Sequence, residues 1–194
     1  MKDYEDLSKA FVSFIDLLYA VVAGFAIDRY FRHIIEQSRE LHALLSAVGT
    51  QEFGLFLLAF FVVGRDWINY HSLVKGRPHK SLWRFIIDIL ILFTFVAMLQ
   101  KINSTLFFLE ILIFYWVLLT IWSIVEYIEY YREADKNKGC RQAIVEDAVL
   151  LVLTIAFFFF VRNLPPSFRS SIFIPYIVIL LTIFIPTLIK EICK

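Results

Sequence analysis

The chain has 194 residues, 60% of them hydrophobic and 19% charged, with a formal net charge of +1 and a mean hydropathy of +0.72. So much apolar side chain, including 21 Phe, exceeds what a water-soluble fold of this length can bury, and the near-neutral charge excludes the electrostatic footprint of a nucleic-acid binder. The residues read instead as an all-α polytopic protein of the lipid bilayer, built from apolar stretches of about 18 residues or more, each long enough to cross a hydrocarbon core as a helix.

The first predicted span covers residues 10–27, AFVSFIDLLYAVVAGFAI. Its flank is acidic (Asp3, Glu5, Asp6) and no small-residue cleavage site follows, so it reads as a retained helix and not a cleaved signal. Asp16 stands inside it, and an ionised group at that depth is costly enough to face protein or water rather than lipid. Asp16, Ala20, Gly24 and Asp28 recur at i, i+4 and form one stripe, in which Ala20 and Gly24 allow another helix to approach closely. Asp16 is therefore either a functional group or one that hydrogen-bonds the hydroxyl or indole of a tightly packed neighbour. Over residues 29–48, apolar Phe31, Ile34, Ile35, Leu41, Leu44, Leu45 and Val48 recur at helical spacing between charged residues. This is either an amphipathic helix on the bilayer or protein surface, or a helical extension of the first span.

The second span, residues 53–69, ends in GRDWINYHSL, with Arg65 and Asp66 interrupting it. Adjacent residues point in different directions around a helix, so Arg65 and Asp66 are not expected to pair with each other, whereas Trp67 and His71 share a face at i, i+4. The cluster is either an interfacial aromatic belt with a snorkelling Arg65 or a polar group reaching toward Asp16. After the turn VKGRPHKS comes the third span, residues 82–99, where Arg84 and Asp88 at i, i+4 predict an intrahelical ion pair. The fourth span, residues 105–127, contains Glu110, and Glu126 and Glu129 are expected at the membrane surface. Residues 131–142, YREADKNKGCRQ, read as a solvated loop. The fifth span, residues 144–161, has Glu146 and Asp147 in its first turn, where the helix dipole favours acids. Pro165 and Pro166 separate it from a sixth, residues 172–189, with Pro175 in the first turn and Pro186 kinking or fraying the end.

With six alternating spans, the terminal side carries Lys2, Lys9, Lys75, Arg77, Lys80, Arg84, Arg132, Lys136, Lys138, Arg141, Lys190 and Lys194. The other carries Arg29, Arg32, Arg39, Lys101, Arg162 and Arg169, and this excess of about two to one places both termini in the cytoplasm. Cys140 and Cys193 then share the reducing side, so no disulfide is expected. His33, His42, His71 and His79 show no metal-binding spacing, no Ser occupies a nucleophile elbow, and no paired aspartates suggest an intramembrane protease. We expect no enzyme, no metal and no cofactor.

The segment Phe14-Ile15-Asp16 and the following LLYAVVAG resemble the Phe-Ser-Asp signature in the first helix of the endolysosomal potassium channel family and its prokaryotic homologues. Trp67-Ile68-Asn69-Tyr70-His71-Ser72-Leu73 is similar to that family's Trp-x-Asn-His-His-x-Leu stretch, and Asp88 stands where the family tends to have Asn. The likeness covers roughly the first hundred residues. It departs at Ile15 (for Ser), at Tyr70 (for the first His) and at Ala10, where the family has a basic residue and Lys9 is the nearest candidate. The resemblance implies a homotetramer whose first helices line a pathway for monovalent cations. It implies a polar network of Asp16, Trp67, His71 and Asp88 that holds the first helix, an apolar gate at Val21 and Phe25, and Asp28 at the pore mouth. Such a ring gates by dewetting. The alternatives are a small proton- or ion-coupled transporter using Asp16, Asp66 and Asp88, or a non-transporting membrane assembly or anchor protein docking through residues 131–142.

Overall fold

The computed structural model describes residues 2–37, 51–76 and 80–165. Among these the chain is entirely helical in its regular structure, with α1 at Lys2–Gln37, α2 at Gln51–Gly76, α3 at Leu82–Gln100, α4 at Thr105–Glu129 and α5 at Ala134–Arg162. Each of the five holds a segment long and apolar enough to cross a membrane: Ala10–Asp28, Glu52–His71, Leu82–Gln100, Thr105–Glu129 and Asn137–Arg162. This is consistent with a multi-pass membrane protein. The expected sixth span, 172–189, with its two prolines, lies outside the described residues, as do 38–50 of the amphipathic stretch. Up to Gln37 that stretch continues α1 without a break.

Two tight connections set the architecture. Residues 101–104 close with backbone bonds from Lys101 N to Met98 O and from Ser104 N to Lys101 O, each 3.0 Å, and the 130–133 turn closes with Tyr130 N to Glu126 O at 3.0 Å and Glu133 N to Tyr130 O at 2.9 Å. Connections this short force antiparallel neighbours, so α3, α4 and α5 form a meander in which α4 has its most extensive contact with α5 and the next with α3. α1 runs parallel to α3, since Phe11 stacks on Phe85 at 4.2 Å near one end while Tyr19 meets Phe95 at 6.2 Å further along. α2 runs back along α1, with Tyr19 level with Asp66 and Asp16 level with Trp67 and His71.

The buried positions follow the helical period. On α1 they are Ile15, Tyr19, Val22 and Ala26, and on α4 the stripe runs through Phe108, Leu112, Tyr115, Leu119, Trp122 and Glu126. In lipid the association of such helices comes from packing and hydrogen bonds and not from exclusion of water. Aromatic pairs such as Phe95–Tyr115 at 5.2 Å and Tyr115–Trp116 at 4.8 Å are the kind of contact that contributes about 0.5–1.5 kcal/mol each.

Two expectations are corrected at the start of α5. The helix begins at Ala134, so most of the stretch read as a solvated loop is helical, and Cys140 within it is buried. Glu146 and Asp147 therefore lie several turns inside α5 and cannot cap it; Asp147 is buried and accepts a 2.7 Å hydrogen bond from Ser123 Oγ on α4. The reason is the pairing itself, because docking on the long α4 extends α5 well before its apolar run begins.

Candidate functional site

Besides the Ser123–Asp147 bond, three polar groupings lie between the described helices. The first ties α1 to α2. Trp67 Nε1 donates to Asp16 Oδ1 at 3.2 Å, and His71 Nε2 lies 3.3 Å from Asp16 Oδ2. One turn of α2 thus engages both oxygens of one carboxylate, as the i, i+4 spacing of Trp67 and His71 allows, and their rings stand 5.1 Å apart. About a third of the side chains of His71 and Asp16 remains exposed, at 37% and 34%. Asp88, expected in this group, is buried on α3, within electrostatic reach of Tyr70 and Asp66.

The second grouping is central. Tyr19 Oη donates to Asp66 Oδ2 at 2.6 Å. The Arg65 guanidinium lies 5.9 Å from the centroid of the Trp116 ring and within electrostatic reach of the Asp66 carboxyl. The Tyr115 hydroxyl is buried on the facing side of α4 and borders the same carboxyl. The sequence reading singled out Asp66 but not Tyr19. The available signal was the i, i+3 step from Asp16, which puts Tyr19 on the neighbouring line of α1.

The third grouping joins the start of α3 to the end of α4 and the start of α5. Arg84 and Glu126 are fully buried and meet at 3.2 Å (Nη2 to Oε1); Arg84 Nη1 donates to Glu129 Oε2 at 2.9 Å, and the guanidinium lies 4.5 Å over the Trp122 ring. Ser81 Oγ donates to Glu129, and Cys140 Sγ lies 3.4 Å from Glu126 Oε2. At its outer edge, Lys80 Nζ bonds Glu133 Oε1 at 2.7 Å and sits 4.0 Å over the Tyr130 ring. Burial there pushes the Tyr130 phenol up from 10.0 to about 12. Glu126 is thus corrected from a surface residue to a buried ion-pair partner, and Arg84 reaches across to α4. The long guanidinium stem finds two carboxylates on the neighbouring helix that helix-by-helix spacing does not reveal. Glu126 does, however, continue the buried stripe of α4 at i+4 from Trp122, and that periodicity was readable.

The expected gate residues share a different face. Val21 and Phe25 are 58% and 55% exposed, and Phe14 and Leu17 extend the face toward the start of α1. Gly24 lies on it, and a Cβ added there would meet nothing within 4 Å. Asp28 closes the face but is bonded to Arg32 Nε at 2.9 Å. These two residues therefore add no net charge at that end. No cluster of His, Cys, Asp and Glu with metal-holding geometry occurs among the described residues. Compared with protein-family models, with curated proteins and with solved structures, the chain matches none.

Proposed function

We propose that the chain is a subunit of a cation channel, permeable to potassium, whose conduction pathway forms between the α1 helices of a homo-oligomer. The observation that carries this reading is the division of α1 into two faces. The carboxylate that would otherwise confront lipid, Asp16, is turned to Trp67 and His71 of α2, while Leu17, Val21 and Phe25 are exposed on the outside of the subunit. A helix anchored by its polar face and presenting bulky apolar side chains beside small ones at Ala20 and Gly24 suits close approach of copies around an axis, where Val21 and Phe25 would close the path by dewetting. By analogy with the family the first hundred residues resemble, the subunit count is four.

The test is cation flux from liposomes holding the purified chain. Phe25→Ala is expected to raise the flux and Asp16→Asn to change it by releasing α1 from α2. A wild-type protein that passes no monovalent cation removes the reading. A second reading, an ion-coupled carrier, is favoured by the Tyr19–Asp66 contact inside a single subunit; saturating flux that requires a proton gradient would select it.

A further inference from the structure

The turn between α4 and α5 leaves a cleft at the outer edge of the Arg84 cluster. It has a volume of about 480 Å³ and is lined by Lys80 ahead of α3, by Ile128 and Glu129 at the end of α4, and by Tyr131, Arg132 and Glu133 of the turn. The acids of its wall are already met by cations. Glu129 accepts from Arg84 at 2.9 Å, and Glu133 from Lys80 at 2.7 Å. Arg132 differs from these: it is exposed, and among the described residues its guanidinium has neither an ion pair nor a hydrogen bond. Two more cations stand near the cleft. Arg141 of α5 donates to the Tyr127 hydroxyl at 3.2 Å, and Tyr127 stands edge-on to Tyr131 with ring centroids 5.6 Å apart. Lys138 precedes Arg141 at i, i+3, so it shares that side of α5, and it is exposed. Among the described residues no carboxylate pairs with Lys138 or Arg141.

The cleft continues into an apolar line. Ile121, Ile124 and Ile128 are exposed along α4 at the i, i+3, i+7 spacing of one helix face, and Ile128 is both the end of that line and a wall of the cleft. The membrane segment of α4 ends at Glu129. Tyr131 and Arg132 therefore stand at headgroup depth, with the isoleucines toward the hydrocarbon.

We propose that this cleft binds an anionic phospholipid, whose phosphate is held by Arg132 and Tyr131 and one of whose acyl chains lies along Ile128, Ile124 and Ile121. The Arg132 fork can donate to two phosphate oxygens at once, and the Tyr131 hydroxyl can donate to a third. Lys138 and Arg141 favour a headgroup of net negative charge over a zwitterionic one, because no acid offsets them. A soluble anion could use the same cations but would gain nothing from the isoleucine line. The site does not depend on whether the chain conducts.

The test is native mass spectrometry of the full chain in detergent, titrated with phosphatidylglycerol or with phosphatidylcholine of the same acyl chains. The first phosphatidylglycerol is expected to bind more tightly than the first phosphatidylcholine, by at least about fivefold, the effect of one basic residue at an anionic surface. Arg132→Gln should weaken phosphatidylglycerol binding by about that factor, and adding Arg141→Gln should weaken it further, with phosphatidylcholine unchanged in both. Arg132 makes no bond within the described fold, so its variant should keep the wild-type unfolding midpoint. Lys101→Gln removes an exposed cation in the turn at the other end of α4 and should leave binding at its wild-type strength. Equal affinity for the two lipids overturns the proposal. So does a loss in Lys101→Gln as large as that in Arg132→Gln, which would make the attraction diffuse. Glycerophosphoglycerol, the same headgroup without chains, should fail to displace the lipid at equal concentration; displacement would assign the cleft to a soluble anion instead.

Discussion

Replacing Arg84 by Met keeps a long unbranched stem in the same space and removes the charge. The guanidinium it deletes is fully buried, holds Glu126 at 3.2 Å and Glu129 at 2.9 Å, and covers Trp122 at 4.5 Å. Breaking a buried pair by deleting one partner costs about 3–5 kcal/mol, because a desolvated charge is left behind. Here two carboxylates are left on one turn of α4, so the upper part of that range is expected. That corresponds to roughly three orders of magnitude in the folding equilibrium. The assay is reversible unfolding in mixed micelles, followed by the emission of the buried tryptophans. The decisive comparison is the triple variant Arg84→Met, Glu126→Gln, Glu129→Gln. It alters more residues, yet it should be more stable than Arg84→Met alone, since the stranded charges are gone. A single variant within about 1 kcal/mol of wild type, the range of exposed ion pairs, would refute the argument, and so would a triple variant weaker than the single one.

The outer pair of the same region should behave differently. Lys80 and Glu133 are 46% and 41% exposed, so Glu133→Gln should change stability by less than about 1 kcal/mol, and the difference should shrink further in high salt. Tyr19→Phe deletes the donor to the part-buried Asp66 and should cost about 0.5–1.5 kcal/mol in the same unfolding assay, the net worth of one such hydrogen bond. Tyr130 gives a pH signature. Its folded pKa of about 12 lies above the usual 10.0, so above pH 10 the unfolded chain loses this proton first. The stabilising contribution is therefore full below pH 10 and falls as the pH rises toward 12, and Tyr130→Phe should lessen that alkaline loss in stability measured against pH. In the flux assay, Val21→Ala should act in the same direction as Phe25→Ala, whereas Phe159→Ala on an exposed part of α5 should leave flux unchanged.

The span boundaries were legible wherever an apolar run begins or ends sharply. Residues 82–99 and 105–127 are helical over nearly those limits, because Ser81 and Ser104 stand extended at the starts and a short turn separates the two. The start of α5 was not legible, because residues 134–143 are polar and only their docking on α4 makes them helical. Trp67 and His71 could be placed together by helical spacing alone, and a reach toward Asp16 was one of the two readings left open; the distances bring the three together. Arg84 shows where such reasoning fails. Spacing along one helix finds Asp88 four residues away, but it cannot see that the antiparallel return of α4 brings Glu126 and Glu129 to the same guanidinium. Contacts within a helix are written in its period, and contacts between helices depend on the turn that joins them.

The unequal fastening of the helices bears on which of them can move. Half of the membrane segment of α3 and of α4 is buried, against 33% of that of α2 and 22% of those of α1 and α5, so the fastening of each helix is decided by its specific ties. α3 and α4 are joined by a four-residue connection and by the buried Arg84 cluster, and α4 and α5 by their own turn and the Ser123–Asp147 bond. α1 is held on this frame by aromatic contacts to Phe85 and Phe95 and is tied to α2 by two polar contacts, one of them about a third exposed. Elements with few buried contacts open at the lowest free-energy cost, and α1 and α2 each touch this frame less than its helices touch one another, so displacement of α1 against an intact α3–α4–α5 frame costs less than separating the helices of the frame. A gate built on Val21 and Phe25 would then work by moving the helix that carries it. On this argument Asp16→Asn and Tyr19→Phe should both speed amide hydrogen exchange in residues 10–28 while exchange in α4 stays at its wild-type rate; equal acceleration in the two helices would show that α1 is not separable from the frame.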